Sequence, residues 1–545
     1  MSAAAPARRV PTVSVAAIAW VLVVVLFILL RVGVVWRAPV GGAELAHLAG
    51  AWQARIGMED DRYVPTLYQA VTALTLNWTE SEEPARALAL AGTATIPLAL
   101  FLLRRKLGEG GALLALLLLA LDPASILLGV TATAAAWDAA IAIWLVVALV
   151  ASRPPPWGWL LIAFLVTTGG PLTLPVVLAG VVLGAIRGSR PGPGALAWGA
   201  AGAALGLLLT SLQFGVGTDG LRIAPFALFA AGFDEPWSTL NVAQLAAHYE
   251  LPLLVGGAAA GVWLVVHFRA TNRAPTPAET LSLAMAGLAI AWFLVALPTT
   301  SPFPLAAATL SSCLLLGPAL ARAASFLMTA QWGRHVYLLL FALGLAAVAL
   351  FVLSDWAREG RIGGLDERVM VAVPVFLALL AVSLLALALL STQREEFPIA
   401  FLPVLAAGGL LLLAGTSGVS LSAAGEPLPG PINPASARAI RDVAFDATAS
   451  RGPLVVHQRY REELTWPFRG SPTFTLAGHV PPEAAVAIWP AAAPPPEGFV
   501  ALEGRWVLKR SIRAPDGFLD LVYWFAERNS LDEDLELVVI YVRSP

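Results

Sequence analysis

Side chains that can bind or transfer protons gather in residues 36–83, directly after the first long apolar run of the chain. Residues 43–55 have helical periodicity: leucine, alanine and tryptophan lie on one face, while Glu44, His47 and Arg55 take the polar positions. This pattern predicts a helix that lies along a membrane interface. A carboxylate in that place, facing a cavity, can accept a proton from the hydroxyl group of a substrate.

A second polar group follows that helix and precedes Tyr68. Three acids, the second of which is Asp60, are followed by Arg62, and an arginine can hold a phosphate group in bidentate geometry. A carboxylate and an arginine together are the groups needed to move a substituent from a phosphate-bearing donor to a hydroxyl acceptor. The residue types leave a plainer interpretation open, in which the acids form a solvated turn and Glu44 is a solvated interfacial charge.

Ionisable residues in later apolar runs are further candidates. Asp138 lies in the run 136–151, and a charge inside a membrane span is costly and often functional. Its place near the outer end of the predicted helix equally suits a capping residue or a headgroup contact. His248, Tyr249 and Glu250 open another long run at the same face, where tyrosine and histidine are common anchors.

Several kinds of site are excluded by the sequence. It contains neither a Walker loop for ATP nor an HExxH metal motif, and its 6 histidines are scattered along the chain. A GxSxG nucleophile turn is missing as well. The single cysteine, Cys313, rules out a disulfide framework and a cysteine-rich metal site.

The composition places these residues in a membrane protein. Of 545 residues, 58% are hydrophobic and 13% are charged, whereas soluble proteins have roughly 25% charged residues. The mean hydropathy is +0.76. These values exclude a disordered chain, a coiled coil, a collagen and an ordinary soluble enzyme. The net charge of −2 offers no basic field to a nucleic-acid partner.

Apolar runs of about 20 residues predict a polytopic α-helical membrane protein with about 11–13 spans. The first run, 12–35, is too long for a cleaved signal peptide and is interpreted as an uncleaved anchor. The short runs 157–168 and 171–186 are separated by Gly-Gly-Pro and form either two short spans or a re-entrant pair. The other runs lie near 84–103, 111–129, 136–151, 194–212, 241–267, 278–297, 303–324, 335–354, 369–391 and 397–417.

Positive charge is concentrated on one side of the predicted spans. The basic residues of that side are Arg104, Arg105, Lys106, Arg153, Arg187, Arg190, Arg269, Arg273, Arg334 and Arg394. The positive-inside rule assigns this side, with the N-terminus, to the cytoplasm of a multi-pass plasma-membrane protein. The segment 36–83, the loops 213–240 and 355–368 and the C-terminal tail are then predicted to lie outside the cytoplasm.

The C-terminal tail has a different composition. After a proline-rich linker, charged residues return and apolar runs shorten, which divides the chain into a membrane domain, 1–424, and an extracytoplasmic α/β domain, 425–545. An amphipathic helix is predicted over 435–450. Trp466 is expected in the core of this domain. Strands are predicted at 454–456, 485–488, 506–508 and 537–542.

In their order, these elements resemble the GT-C superfamily of membrane glycosyltransferases, which have an anchor span, an acidic outer loop, many spans and an outer C-terminal domain. The chain is most similar to the flippase-activity-associated family, relatives of the dolichyl-phosphate-mannose protein mannosyltransferases. Residues 44–47 (ELAH) resemble the acidic Asp-Glu-x-x-His element, and 60–68 (DDRYVPTLY) resemble Asp-x-x-Tyr-His-Gly-Pro-Phe-Leu-Tyr. Further similar stretches are 86–123, 209–233, 249–252 and 466–470.

The chain departs from that family at several charged positions. Ala43 replaces the first acid of the loop motif, and Val64 stands where a histidine is expected. Gly169 and Gly170 replace a usual Lys-Glu pair, and residues 300–305 (TSPFPL) replace a Glu-Lys-x-Pro-Trp-Leu stretch. Charged groups inside a membrane protein are rarely kept without a role, so their loss leaves a non-catalytic relative as an alternative.

The resemblance implies transfer of a sugar from a polyprenyl- or dolichyl-phosphate donor to an acceptor, still unidentified, at the outer membrane face. In that reaction Glu44 would be the general base on the acceptor hydroxyl. Asp138 and Asp60 would orient the acceptor, or hold a divalent cation if one is used, and Arg62 would attract the lipid phosphate. The further positions implied for substrate binding are His47, Tyr68, His248 and Glu250.

Two other functions compete with transfer. The first is a non-catalytic, flippase-associated or accessory protein in lipid-linked sugar translocation, which a closed apolar interior around Glu44 would favour. A cavity there that opens to both lipid and water would favour transfer. The second is a secondary transporter, which predicts inverted repeats and paired broken helices, and the sequence shows neither.

Overall fold

The computed structural model describes the chain in fifteen stretches. They are residues 14–35, 42–55, 67–76, 78, 82–151, 157–187, 192–211, 242–270, 272–299, 301, 303–329, 434–469, 474–502, 504–512 and 533–544. Asp60, Arg62, the loops 213–240 and 355–368, and the three runs predicted between 335 and 417 lie outside the described residues.

The described membrane part consists of helices joined by short turns and connecting segments. A 3₁₀ turn, Pro171–Thr173, and a π-helical turn, Ala246–Glu250, join neighbouring helices. The helices are α1 Val15–Val35, α2 Gly42–Arg55, α3 Leu67–Thr75, α4 Glu83–Thr93, α5 Ile96–Leu107, α6 Glu109–Leu121, α7 Pro123–Leu128, α8 Ala134–Val150, α9 Gly158–Thr168, α10 Leu174–Arg187, α11 Pro193–Ser211, α12 Val242–Leu245, α13 Leu251–Ala270, α14 Pro277–Val295 and α15 Phe303–Thr329.

Five stretches of the described residues are long and apolar enough to cross a membrane, which makes this a multi-pass membrane protein. They are Val15–Val35, Glu83–Leu107, Leu251–Arg269, Pro277–Val295 and Phe303–Arg322. Five shorter apolar helices accompany them. The last of the long spans is completely enclosed by other helices, whereas α1 exposes most of its apolar side chains, as expected for a helix that faces lipid.

Small residues allow the enclosed helix α15 to pack closely on α6. A Cβ atom added at Gly317 would lie 2.5 Å from the carbonyl oxygen of Gly111 and 2.6 Å from the backbone nitrogen of Ala115. Only hydrogen fits there, so the two backbones approach each other directly. Such contacts between small residues are a usual way to pack membrane helices, because lipid gives apolar side chains little reason to leave it.

The two short apolar runs after α8 form α9 and α10, joined by the 3₁₀ turn. Helix α9 packs against α8 and α11, and α10 packs against α14. The turn itself packs on α8. The Gly-Gly-Pro sequence therefore forms a tight, buried connection between two helices that have different neighbours.

The tail folds into an α/β domain with one mixed sheet. Its helix α16, Pro434–Arg451, buries Ile440 and Ala444 against the sheet, as the amphipathic pattern predicts. The order of the sheet is β2-β1-β3-β6-β4, with β5 also paired to β6; β2, β1 and β3 are parallel, and β6 is antiparallel to its neighbours. The strands are β1 Leu454–His457, β2 Phe474–Ala477, β3 Val486–Pro490, β4 Phe499–Ala501, β5 Trp506–Ile512 and β6 Glu533–Arg543.

Four of these strands were predicted, and β2 and β4 were missed. Both missed strands lie on the outer edges of the sheet order, and they are 4 and 3 residues long. The predicted small α/β domain is nevertheless present.

Trp466 is buried, but the prediction that it fills the core of the tail domain is wrong. It packs with α2 and α3 of the segment 36–83, which we call the first loop. Phe468 fills the sheet core instead. A short helix of the tail, α17 Arg461–Leu464, also packs on α2. We call this group the first-loop cluster; its buried members are Leu45, Leu48, Ala49, Ala51, Ala73, Leu76, Ala85, Ala132, Ala437 and Trp466.

Candidate functional site

Glu44 lies in the first turn of α2 and is 1% exposed. Its Oε1 accepts a hydrogen bond from Nε of Arg86 at 2.6 Å, and its Oε2 accepts one from Nη2 of Arg86 at 2.9 Å. This is the parallel, two-bond geometry in which a guanidinium fits a carboxylate best. The plainer interpretation of Glu44 as a solvated interfacial charge is therefore wrong, because the side chain is buried and paired.

The pair binds two further parts of the chain. Nη1 of Arg86, in α4, donates to the carbonyl oxygen of Val35 at the end of α1, at 2.8 Å. The backbone N–H of Ala132, in the segment between α7 and α8, donates to Oε1 of Glu44 at 3.0 Å. One ion pair thus fixes the entry of the first loop, the start of α4 and the segment before α8.

The hydrogen-bonding capacity of Glu44 is almost used up. Each carboxylate oxygen offers about two lone-pair directions. Among the described residues, Oε1 accepts from both Arg86 and Ala132, whereas Oε2 accepts from Arg86 alone. One lone pair on Oε2 therefore remains as the position at which the hydroxyl of an acceptor could be bound.

His47 and Tyr68 are part of the same structure. His47 lies one turn after Glu44 on α2, and its Nδ1 is 2.8 Å from Oε1 of Gln69, whose Nε2 donates to the carbonyl oxygen of His47 at 3.0 Å. The hydroxyl of Tyr68 donates to the carbonyl oxygen of Ala85 at 2.9 Å. These contacts bind α2 to α3 and α3 to α4 around the Glu44–Arg86 pair.

The tail domain covers this site. The first-loop cluster places Trp466 and Ala437 against α2 and α3, on the helices that carry Glu44 and Tyr68. Nη2 of Arg438 forms an ion pair with Oε1 of Glu82 at 2.7 Å, at the start of α4. Burial opposes the charge of Glu82, but its own backbone N–H and Arg438 outweigh that effect and hold the pKa of Glu82 below its usual value.

Asp138 has different partners. It lies in α8 and is 2% exposed; its Oδ1 accepts from the backbone N–H of Gly170 at 2.7 Å, and its Oδ2 accepts from that of Leu172 at 2.6 Å. Both oxygens thus hold the 3₁₀ turn between α9 and α10. This placement gives Asp138 a role in anchoring the turn, and its orientation of an acceptor stays a prediction.

Close contacts in this turn explain why residues 169 and 170 are glycines. A Cβ atom at Gly170 would lie 3.0 Å from Oδ2 of Asp138, and one at Gly169 would lie 2.4 Å from Cγ2 of Thr173. A larger side chain at either position would push the turn away from α8. The turn contacts Asp138 this closely because glycines stand at these two positions, where the family resemblance implies a Lys-Glu pair.

Glu250 does not belong to the group around Glu44. It is completely buried at the end of the π-helical turn, where its Oε1 accepts from the backbone N–H of Ala124, beside Asp122, at 3.2 Å. The backbone of His248 lies in the same turn, while its side chain lies outside what the structure describes.

Asp122, Arg86 and the buried Arg31 were not identified as candidates. Arg31 lies inside the first apolar run. Because a charge in a membrane span is costly, its position there was a signal that could have identified it.

Within the described residues, no group of three or more histidine, cysteine, aspartate or glutamate side chains is arranged to hold a metal ion. Asp60, which was predicted to hold a divalent cation, lies outside those residues. The cation therefore stays a prediction.

Comparison with solved structures identifies a similar fold along nearly the whole chain. The crystal structure of ArnT from Cupriavidus metallidurans bound to undecaprenyl phosphate matches with a TM-score of 0.50 and 19% sequence identity, covering 95% of this chain and 97% of that chain. No family model and no curated protein matches the sequence. The fold is thus a GT-C-like membrane fold with a small C-terminal α/β domain.

Proposed function

We propose that this protein transfers a sugar from a polyprenyl-phosphate donor to an acceptor hydroxyl, at the outer face of the membrane. Two kinds of observation support the proposal. The fold resembles that of a protein whose crystal structure contains undecaprenyl phosphate, over 95% of this chain. In addition, the first loop holds a buried carboxylate at the position that the family resemblance assigns to the general base.

The observation that carries the proposal is the two-bond pair between Glu44 and Arg86. A base that must act at one position needs a side chain fixed in orientation. Arg86 and the N–H of Ala132 fix the plane of the carboxylate, and within the described residues one lone pair of Oε2 has no donor.

The proposed reaction follows from these groups. The acceptor hydroxyl lies against Oε2 of Glu44, which takes its proton as the oxygen attacks the anomeric carbon of the donor sugar. The bond between that carbon and the phosphate oxygen breaks, and polyprenyl phosphate leaves with the bonding electrons. Arg62 is proposed to hold the phosphate, and Asp60 and Asp138 are proposed to orient the acceptor, the latter through the turn that it anchors.

We also propose that the chain is a relative of the flippase-activity-associated family, with the N-terminus in the cytoplasm and the tail domain outside. The basic residues on the predicted inner side support this orientation. A reporter that is active only in the cytoplasm, fused after Pro545, should give no signal. A strong signal would place the tail domain and Glu44 on the opposite side.

A specific observation favours an accessory protein as the second candidate. Glu44 is 1% exposed and lies beneath the first-loop cluster, whose members are all apolar. A substrate reaches Oε2 only if the helices or the tail domain separate. A protein that serves translocation of lipid-linked sugars would keep such a closed arrangement permanently.

A turnover assay distinguishes the two candidates. Purified protein in proteoliposomes receives a radiolabelled polyprenyl-phosphate sugar and a mixed pool of acceptors. In transfer, Glu44→Gln lowers turnover by roughly 10²–10⁴-fold, the usual contribution of a general base. The double variant Glu44→Gln, Arg86→Met removes both charges and should fold better than the single variant, yet remain as inactive.

The matched control is Glu109→Gln, which makes the same chemical change at an exposed carboxylate. It should retain the turnover of the wild type. Turnover retained in Glu44→Gln would remove Glu44 from the mechanism. If the wild type shows no transfer with any of several donor sugars, the accessory role becomes the better explanation.

A further inference from the structure

A second group of buried charges lies at the start of α7. Asp122 and Glu250 are both 0% exposed, and both bind the first backbone N–H groups of α7. Oδ2 of Asp122 accepts from the backbone N–H of Ser125 at 2.7 Å, and Oε1 of Glu250 accepts from that of Ala124 at 3.2 Å. The other two oxygens, Oδ1 and Oε2, receive no N–H or O–H donor from the described residues.

The charge of this group balances only if it contains a proton. Arg31, which is 1% exposed, reaches the same turn from α1 and donates through Nη2 to the carbonyl oxygen and the hydroxyl of Ser125, at 3.2 and 2.9 Å. One arginine compensates one carboxylate. Asp122 and Glu250 bind the N–H groups of successive residues, and two buried carboxyl groups this close cannot both ionise cheaply, so one of them keeps a proton.

Helix α7 connects this group to Glu44. The helix is only 6 residues long. Its first backbone N–H groups are bound by Asp122 and Glu250, and the segment after its last turn donates the N–H of Ala132 to Glu44. Because so short a helix has little stability of its own, the two carboxyl sites set its position from both ends.

We propose that Asp122 and Glu250 share one proton and act as positioning residues, which hold α7 so that Ala132 orients Glu44. The pair binds the π-helical turn to the start of α7, and Arg31 connects α1 to the same place. This inference rests on the proposed function in one respect, namely that Glu44 is the base. The shared proton can be tested without any turnover.

The first experiment measures unfolding of the full-length protein in detergent micelles as a function of pH. At pH values where the folded protein keeps this proton and the unfolded chain has released it, each added pH unit lowers the folding equilibrium constant roughly tenfold. The unfolding midpoint of the wild type should therefore fall as the pH rises through neutrality. Glu250→Gln mimics the protonated acid, because its amide N–H donates to Asp122, so its midpoint should stay level.

Infrared spectroscopy gives a second measurement that needs no turnover. The wild type should show the carbonyl band of a protonated carboxylic acid, which decreases as the pH rises and is absent in Glu250→Gln. Glu109→Gln, at an exposed carboxylate, should change neither measurement. Equal pH dependence in the wild type and Glu250→Gln, or a band that persists in the variant, would overturn the shared proton.

The positioning role is tested by a double-variant cycle on the unfolding midpoint. Glu250→Ala and Glu44→Gln together should cost less than the sum of the two single changes, because each already releases α7. Additive losses would overturn the positioning role. Where transfer is measurable, the wild type should also lose turnover at alkaline pH while Glu250→Gln does not. Absent transfer would count against the role of Glu44 and leave the proton measurements valid.

Discussion

Glu44 and Asp138 are both buried carboxylates in the membrane part, yet their charges are stabilised in different ways. Glu44 is matched by the full positive charge of Arg86, whereas Asp138 is bound by the partial charges of two backbone N–H groups. The first arrangement connects three segments of the chain that are far apart in sequence. The second fixes one turn.

The difference predicts how each site responds to loss of its charge. Removing one member of an ion pair leaves the other charge buried and uncompensated, which is very costly. Removing the charge of Asp138 leaves only backbone N–H groups, which lose a strong acceptor but carry no net charge. The carboxylate with an arginine partner is therefore expected to be the more sensitive one, both in stability and in function.

The largest effect is expected for Glu44→Gln. The variant should lose about 3–5 kcal/mol of unfolding free energy, because Arg86 then carries a buried, unpaired charge. Thermal unfolding in detergent measures the loss. The double variant Glu44→Gln, Arg86→Met should recover part of it, because both charges are then absent. Failure of the second change to recover stability would show that the two residues do not compensate each other.

Trp466→Ala tests the cover over the Glu44 site and should leave Asp138 unaffected. Truncation of a buried aromatic side chain costs about 3–5 kcal/mol, and here the loss falls on the contact between the tail domain and the first loop. Limited proteolysis should therefore release an intact sheet domain. The control is Phe468→Ala, which lies in the sheet core and should make the sheet itself sensitive. The same digestion of the sheet in both variants would contradict this assignment.

Asp138→Asn should have a smaller effect than Glu44→Gln. Its amide retains one acceptor oxygen, but its NH₂ group faces a backbone N–H, so one buried donor loses its partner at a cost of about 1–3 kcal/mol. Unfolding in detergent should rank the two variants in this order, with Glu109→Gln unchanged. An equal or greater loss in Asp138→Asn would mean that the charge of Asp138 has a function beyond the turn.

The smallest effect is expected at the ion pair between Glu82 and Arg438 at the edge of the cover. The Arg438 side chain is 59% exposed, and pairs of this kind contribute about 0–1 kcal/mol. Because the folded protein holds the pKa of Glu82 below its usual value, this contribution is present at neutral pH and is lost as the pH falls through that lowered pKa. Protease release of the tail domain should increase slightly in acid for the wild type, and Arg438→Ala should weaken this dependence.

The sequence by itself determined the elements with a strong local pattern. The long apolar runs of the described part became helices, and the periodicity of residues 435–450 became α16 with Ile440 and Ala444 buried. The helical pattern around Glu44 likewise became α2. These features follow from neighbours a few positions apart, which a periodic pattern records directly.

The tertiary structure alone decided which partner each buried polar group has. Glu44 and Arg86 are 42 residues apart in the sequence, and Asp138 is 32 residues from Gly170. Nothing in the sequence around Glu250 indicates that Asp122 is its neighbour. Likewise, nothing around Trp466 indicates that it packs on the first loop and not in the core of its own sheet. A buried charge must be neutralised, but the low dielectric that demands a partner does not specify which one. Only the packing of the helices brings a particular arginine, amide or carboxyl group within hydrogen-bonding distance.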